Sequence, residues 1–213
     1  MPTAATYRTI TREQFLLRET RVIARMRLDG ATDEQVIAKV YEQNSLQYPT
    51  LSQVKNIAAV CLKRLDALSD DPDMARELTA LIANGSQEQA AQANLYAMMR
   101  GYRLVWEFMT SVIAAKYRGL DNILTRVDLN VFFADLQQTQ PVVARWSDST
   151  ISKSKQVLVK SLTDAGLLAP APDEPQGTYA LAPVYLDPQL RRAMGANGDA
   201  CVLAAFNCIE GMA

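Results

Sequence analysis

Residues 145 to 168 read "RWSDSTISKSKQVLVKSLTDAGLL", and the fold turns on how this stretch is placed. Polar and apolar residues exchange every three or four positions, the period of a helix rather than a strand. With Thr150 at zero on a helical wheel, Ile151, Leu158, Leu162 and Ala165 fall between about 60° and 120°, a side fit for burial. Ser152, Lys153, Gln156, Lys160 and Thr163 fall between about 200° and 300°, an arc with two lysines and no acid. From Arg145 to Lys160 there are four basic residues against one acid, Asp148, a local charge of +3 in a chain of net charge −1. Positive charge on such a face neutralises phosphates, and serine and glutamine exchange hydrogen bonds with base edges.

The flanks give the stretch its setting. Upstream, Asp128 is a candidate N-cap for a short helix through Phe132, Phe133 and Leu136, and Pro141 suits the first turn of a second. Ser147-Asp148 makes the turn into the third helix. Downstream, "LLAPA" and "TYALAP" read as two short strands around the loop "APDEPQG". Helix, helix, turn, helix and a two-stranded wing is the layout of a winged helix-turn-helix, whose third helix enters the major groove of DNA. A docking surface for a protein is the alternative on the same fold. Asp173 and Glu174 in the loop are ill suited to lying along a phosphate backbone.

The rest of the chain reads as helix. Thr11 with "TREQ" is a candidate capping box for a helix to Leu28. Its Arg18, Arg21 and Arg25 share an arc of about 60°, either a solvated face or a second basic surface. Thr32 caps a short helix, Thr50 or Ser52 another behind Pro49, and a fourth ends at Asn84-Gly85. From Gln87 to about Lys116 the pattern is one long helix carrying Tyr96, Met99, Tyr102, Trp106 and Phe108, large side chains on several faces of a central element. Base stacking with Arg100 and Arg103 is the rival use of that row, and core packing is the favoured one. The fold class is therefore mainly α: an N-terminal helical bundle (1–85), a long central helix and connection (86–126), and a winged helix-turn-helix with C-terminal helices (127–213).

The totals exclude several functions. The 213 residues are 49% hydrophobic and 21% charged, a globular balance. Histidine is absent, which removes Ser-His and Cys-His nucleophiles and histidine metal sites. There is no phosphate-binding glycine loop, no CxxC and no calcium-loop pattern, so the expectation is a non-enzymatic protein without cofactor or metal. No run of 18 apolar residues occurs, which argues against a membrane span. Three cysteines without a signal peptide point to reduced thiols in the cytoplasm. Cys201 and Cys208, seven apart, are expected to pack on one helical face.

Five blocks in order, "FLLRETRVIARMRLDGATDEQVI", "EQNSLQYPTLSQVKNIAAVCLKRLDAL", "LYAMMRGYRLVWEFM", "DLNVFFADL" and "WSDSTISKSKQVLVKSLTDAGLL", resemble the BrxA family of bacteriophage exclusion (BREX) defence systems. The resemblance spans nearly the whole chain to about residue 190 and rests on block order. It implies a helical, non-enzymatic accessory protein that binds double-stranded DNA beside other BREX proteins, including the methyltransferase that marks host DNA. It also implies no small-molecule substrate, and a likeness to the RNA-binding antitermination protein NusB. The candidate DNA contacts are Arg145, Ser149, Thr150, Ser152, Lys153, Gln156 and Lys160, with Arg18, Arg21 and Arg25 as a second group. A scaffold that docks protein through the winged helix, or RNA binding by the bundle, are the alternatives.

Overall fold

A computed structural model describes residues 6–11 and 14–208. Four helices, α1 (Leu17–Leu28), α2 (Asp33–Gln43), α3 (Leu51–Asp66) and α4 (Pro72–Asn84), form the N-terminal bundle. Their starts follow local chemistry. Thr32 and Gln35 close a reciprocal capping box on α2, Thr50 accepts from the Gln53 amide on α3, and Asp71 caps α4 ahead of Pro72.

The start of α1 departs from the sequence reading. The helix begins at Leu17, and Leu16 before it is left-handed, with φ +49° and no side-chain cap. Arg12 and Glu13 of the anticipated capping box lie outside the described residues. The reason is tertiary: the Phe15 carbonyl accepts from buried Arg64 at 2.6 Å and from Asn94 at 2.6 Å. A carbonyl held by two long-range donors is not available to a helical ladder.

α5 (Gln87–Gly101) runs through the middle, and Ala90 to Arg100 is buried at every position. The anticipated single helix to Lys116 is broken. The backbone leaves helical geometry at Tyr102 (φ −134°, ψ 109°), after Gly101, a weak helix former. α6 (Arg103–Glu107), a π-helical turn (Phe108–Ile113) and α7 (Ala114–Arg118) follow. In the π turn the Thr110 and Ser111 hydroxyls donate to the carbonyls of Trp106 and Glu107 four residues back, at 2.9 and 2.5 Å. Side-chain donors that compete for those carbonyls loosen the regular ladder. The large side chains are core: Tyr96, Met99 and Phe108 are fully buried, and Arg100 pairs with buried Asp199 at 2.6 Å.

Beyond α7 lies the small β wing and its helices: β1 (Ile123–Leu124), α8 (Arg126–Thr139), α9 (Pro141–Ala144), α10 (Asp148–Asp164), β2 (Leu168–Pro170) and β3 (Tyr179–Leu181). Among the described residues the sheet has three antiparallel strands in the order β1-β3-β2, not two. Ile123 pairs with Ala180, and Leu168 with Leu181. A two-residue strand is too short to show alternation, so β1 left no mark in the pattern. α8 also starts earlier than expected. Thr125 is its cap, and Asp128 is the third residue of a capping box whose carboxylate returns to the Thr125 amide.

The described residues end on α11 (Pro188–Ala196) and a 3-10 helix (Ala200–Phe206), which return to α4, α7 and the π turn. Asp199 and Asn197 anchor this return. Asp199 accepts from Tyr96 at 2.7 Å, and Asn197 donates to the Leu68 carbonyl at 2.9 Å. Burial alone would raise the Asp199 carboxyl, yet the Tyr96 and Arg100 donors hold it below the ordinary value, while burial drives the Tyr96 phenol up. The cysteines do not share a packed face. The segment is 3-10 rather than α, Cys201 is exposed and Cys208 half-buried.

Candidate nucleic-acid interface

α10 is built as its wheel indicates. Ser147 accepts from the Thr150 amide at the N-cap, Asp148 supplies an acid in the first turn, and the Gly166 amide closes onto Thr163 with a left-handed φ of +79°. Ile151, Leu158, Leu162 and Ala165 are buried, whereas Ser152, Lys153, Gln156, Lys160 and Thr163 are exposed. Ser154, absent from both sets, is buried with its hydroxyl on the Thr150 carbonyl at 2.8 Å.

The outer face carries weakly committed donors. Lys153 reaches Gln156 Oε1 at 3.4 Å, and Lys160 pairs with Asp164 at 3.0 Å while its own side chain is 72% exposed. Such surface pairs contribute about 0.3–0.5 kcal/mol, so a phosphate can replace the partner. Ser149 and Thr150 share a hydroxyl cluster with Ser147, each at 3.0 Å. Arg145 is exposed just ahead of the helix, at the end of α9, where buried Val143 anchors the turn.

The arginines of α1 are placed differently. Arg21 donates to the Gly85 carbonyl at 2.7 Å, Arg25 to the Ala83 carbonyl at 3.2 Å, and Arg18 to the Leu46 carbonyl at 2.8 Å. Ala83 and Gly85 end α4, so Arg21 and Arg25 satisfy carbonyls at its C-terminus, where cations also oppose the helix dipole. α1 packs mainly on α3 and α4, and α10 touches α5 and β2.

The structure adds residues that the wheel passed over. Between α8, α10 and the wing lies an open groove of about 640 Å³ whose lining includes Arg126, Asn130, Ser152, Lys155, Gln156 and Tyr179. Lys155 donates to Asn130 Oδ1 at 2.7 Å and lies 5.5 Å from the centre of the Phe133 ring. Arg126 of α8 and Lys155 of α10, 29 positions apart in the chain, line this groove together.

A clamp fixes this region on α7. Lys116 of α7, 8% exposed, meets Asp121 at 2.8 Å and Asp128 of α8 at 3.0 Å. Burial opposes its charge, but the two carboxylates win and raise its pKa; the lysine and, for Asp128, the Thr125 donors hold both carboxyls below the usual range. Phe108 packs edge-on against Phe132 at 5.1 Å, joining the π turn to α8.

Comparison with known proteins places the chain. The BrxA family model matches residues 6–198. The chain belongs to the BrxA family. A curated relative from Bacillus cereus (strain H3081.97), "BREX protein BrxA", is 34% identical over 160 residues, 75% of this chain and 77% of that protein. Another of the same name, from Escherichia coli O9:H4 (strain HS), is 29% identical over 177 residues, 83% of this chain and 78% of that one. A crystal structure of an uncharacterized protein from Magnetospirillum magneticum superposes with a TM-score of 0.72 at 22% identity, over 94% of this chain and 97% of that chain. That likeness shows a shared fold, while the family membership rests on the sequence matches. No helix among the described residues is long and apolar enough to cross a membrane.

Proposed function

We propose that this BrxA-family chain is a non-enzymatic DNA-binding component of a BREX system, acting in the cytoplasm with double-stranded DNA and other BREX proteins as partners. The observation that carries the reading is the exposed arc of α10, with Ser152, Lys153, Gln156 and Lys160 pointing outward beside a β wing. Read as a winged helix-turn-helix, α8 and α9 lead into α10, which lies in the major groove; its lysines and Arg145 meet phosphates, and Ser149, Thr150, Ser152 and Gln156 face base edges. In this reading the arginines of α1 belong to the bundle.

The test is a gel shift on a mixed-sequence duplex. K153E/K160E is expected to abolish the shift with the melting temperature unchanged; an undiminished shift overturns the reading. Matched RNA competing as well as the duplex would move the partner to RNA. Affinity should also fall steeply between 50 and 200 mM salt, by about 10³-fold if six phosphates are contacted.

A second reading has its own observation. The wing tip exposes Asp173 and Glu174, charges that repel a phosphate backbone and suit a basic protein surface. On that reading the wing docks another BREX protein, such as the methyltransferase. D173K/E174K then weakens co-purification with that partner and leaves the duplex shift intact.

A further inference from the structure

Lys155 stands on the opposite shoulder of α10 from Lys153 and Lys160: at 100° per residue it falls at about 140°, against about 280–300° for the other two. Ser152 and Gln156 lie between the shoulders and line the groove from its rim. In the groove Lys155 has a neutral partner, Asn130, and burial pushes its pKa down. Arg126 extends from the first turn of α8 across the wing residue Gly177, whose φ of +89° and bare α-carbon leave the space in which its guanidinium lies; a Cβ there would overlap Nε. Among the residues lining the groove Asp148 supplies the acid, so two cations stand against one anion.

We propose that this groove seats the second phosphate backbone of a duplex whose first backbone runs along Lys153 and Lys160, so that α10 is straddled with Ser152 and Gln156 between the strands. The proposal rests on the α10 reading and extends it to Arg126 and Lys155. A helix in the major groove has a backbone on each side, about 12 Å apart. Cations on both shoulders with neutral hydrogen-bonding groups between them match that arrangement, whereas cations on one shoulder tether the helix to one strand. Asp173 and Glu174 repel phosphate from the wing tip, which leaves the wing base, at Gly177 and Arg126, as the seat.

The experiment measures binding of the full chain to a mixed-sequence duplex and to one of its single strands across a salt series, by fluorescence anisotropy. The variants are K153M/K160M and R126M/K155M, which keep the apolar stems, and the conservative Lys155→Arg. On the duplex each methionine pair is expected to reduce the slope of log K against log salt by about two, while Lys155→Arg keeps it. On the single strand R126M/K155M should change the slope far less. If R126M/K155M binds duplex like the parent while K153M/K160M is impaired, the straddled duplex is overturned and the α10 reading stands. If neither pair matters, both fall. Equal losses on duplex and single strand for R126M/K155M would mean one strand threads both places, which also overturns the proposal.

Discussion

α1 and α10 each carry a basic stripe on one side, and the two stripes meet different hydrogen-bond surroundings. In α1 the arginines reach carbonyls of neighbouring segments: Arg21 and Arg25 at the end of α4, Arg18 at Leu46. In α10 the outward lysines have an amide and an exposed carboxylate for partners. A guanidinium has a rigid fork of donors and serves backbone oxygens well, while an ammonium on a flexible stem stays hydrated and available. A charged stripe therefore tells where cations are, and only the facing segment tells whether they are engaged.

Charge reversal breaks the comparison most strongly. K153E/K160E should weaken duplex binding on the order of 100-fold or more, since each lost phosphate contact also lowers the salt slope by about one, with no change in thermal melting. Arg21→Ala should do the reverse. Removing a charged donor from a carbonyl costs about 1.5–3 kcal/mol, a fall of roughly 2–4 °C in Tm per kcal/mol for a chain of this size, while duplex affinity stays within about twofold. A large loss of binding in Arg21→Ala at intact stability would put α1 back in the interface.

The Lys116 clamp sharpens the comparison through pH. The folded-state carboxyls of Asp121 and Asp128 titrate below their unfolded values, so their contribution is complete above about pH 4 and is lost as pH falls through the folded values. Lys116 titrates above its unfolded value, so its share is complete below about pH 10.4 and is lost as pH rises through the folded value. Hydrogen exchange should show α8 and β1 loosening below pH 4 ahead of α3, and Lys116→Met should remove that difference. The smallest effect belongs to Lys160→Gln. Its exposed pair with Asp164 should change stability by less than about 0.5 kcal/mol, while binding loses one phosphate contact.

Helix starts such as Thr32, Thr50 and Ser147 were legible because a side-chain oxygen, a following amide and a few residues suffice. The start of α1 was not, because Arg64 and Asn94 act on the Phe15 carbonyl from distant segments. The break at Tyr102 was not either, because Gly101 lowers helix propensity without fixing where a helix ends. The site divides the same way. The outer face of α10 follows from its wheel, whereas Lys155 gains its groove only through Asn130, Phe133 and Arg126 on α8.

By itself the sequence determined a mainly helical chain, a small β wing, the buried and exposed sides of α10 and the order of blocks that marks the family. These follow from periodicity, capping and composition, which act within a few turns of chain. The tertiary structure decided which cations meet backbone carbonyls, how α7, α8 and the wing lock together, and that Arg126 and Lys155 share a groove. Those outcomes depend on carbonyls, carboxylates and rings brought within a few ångströms from positions tens of residues apart, and no local pattern records them.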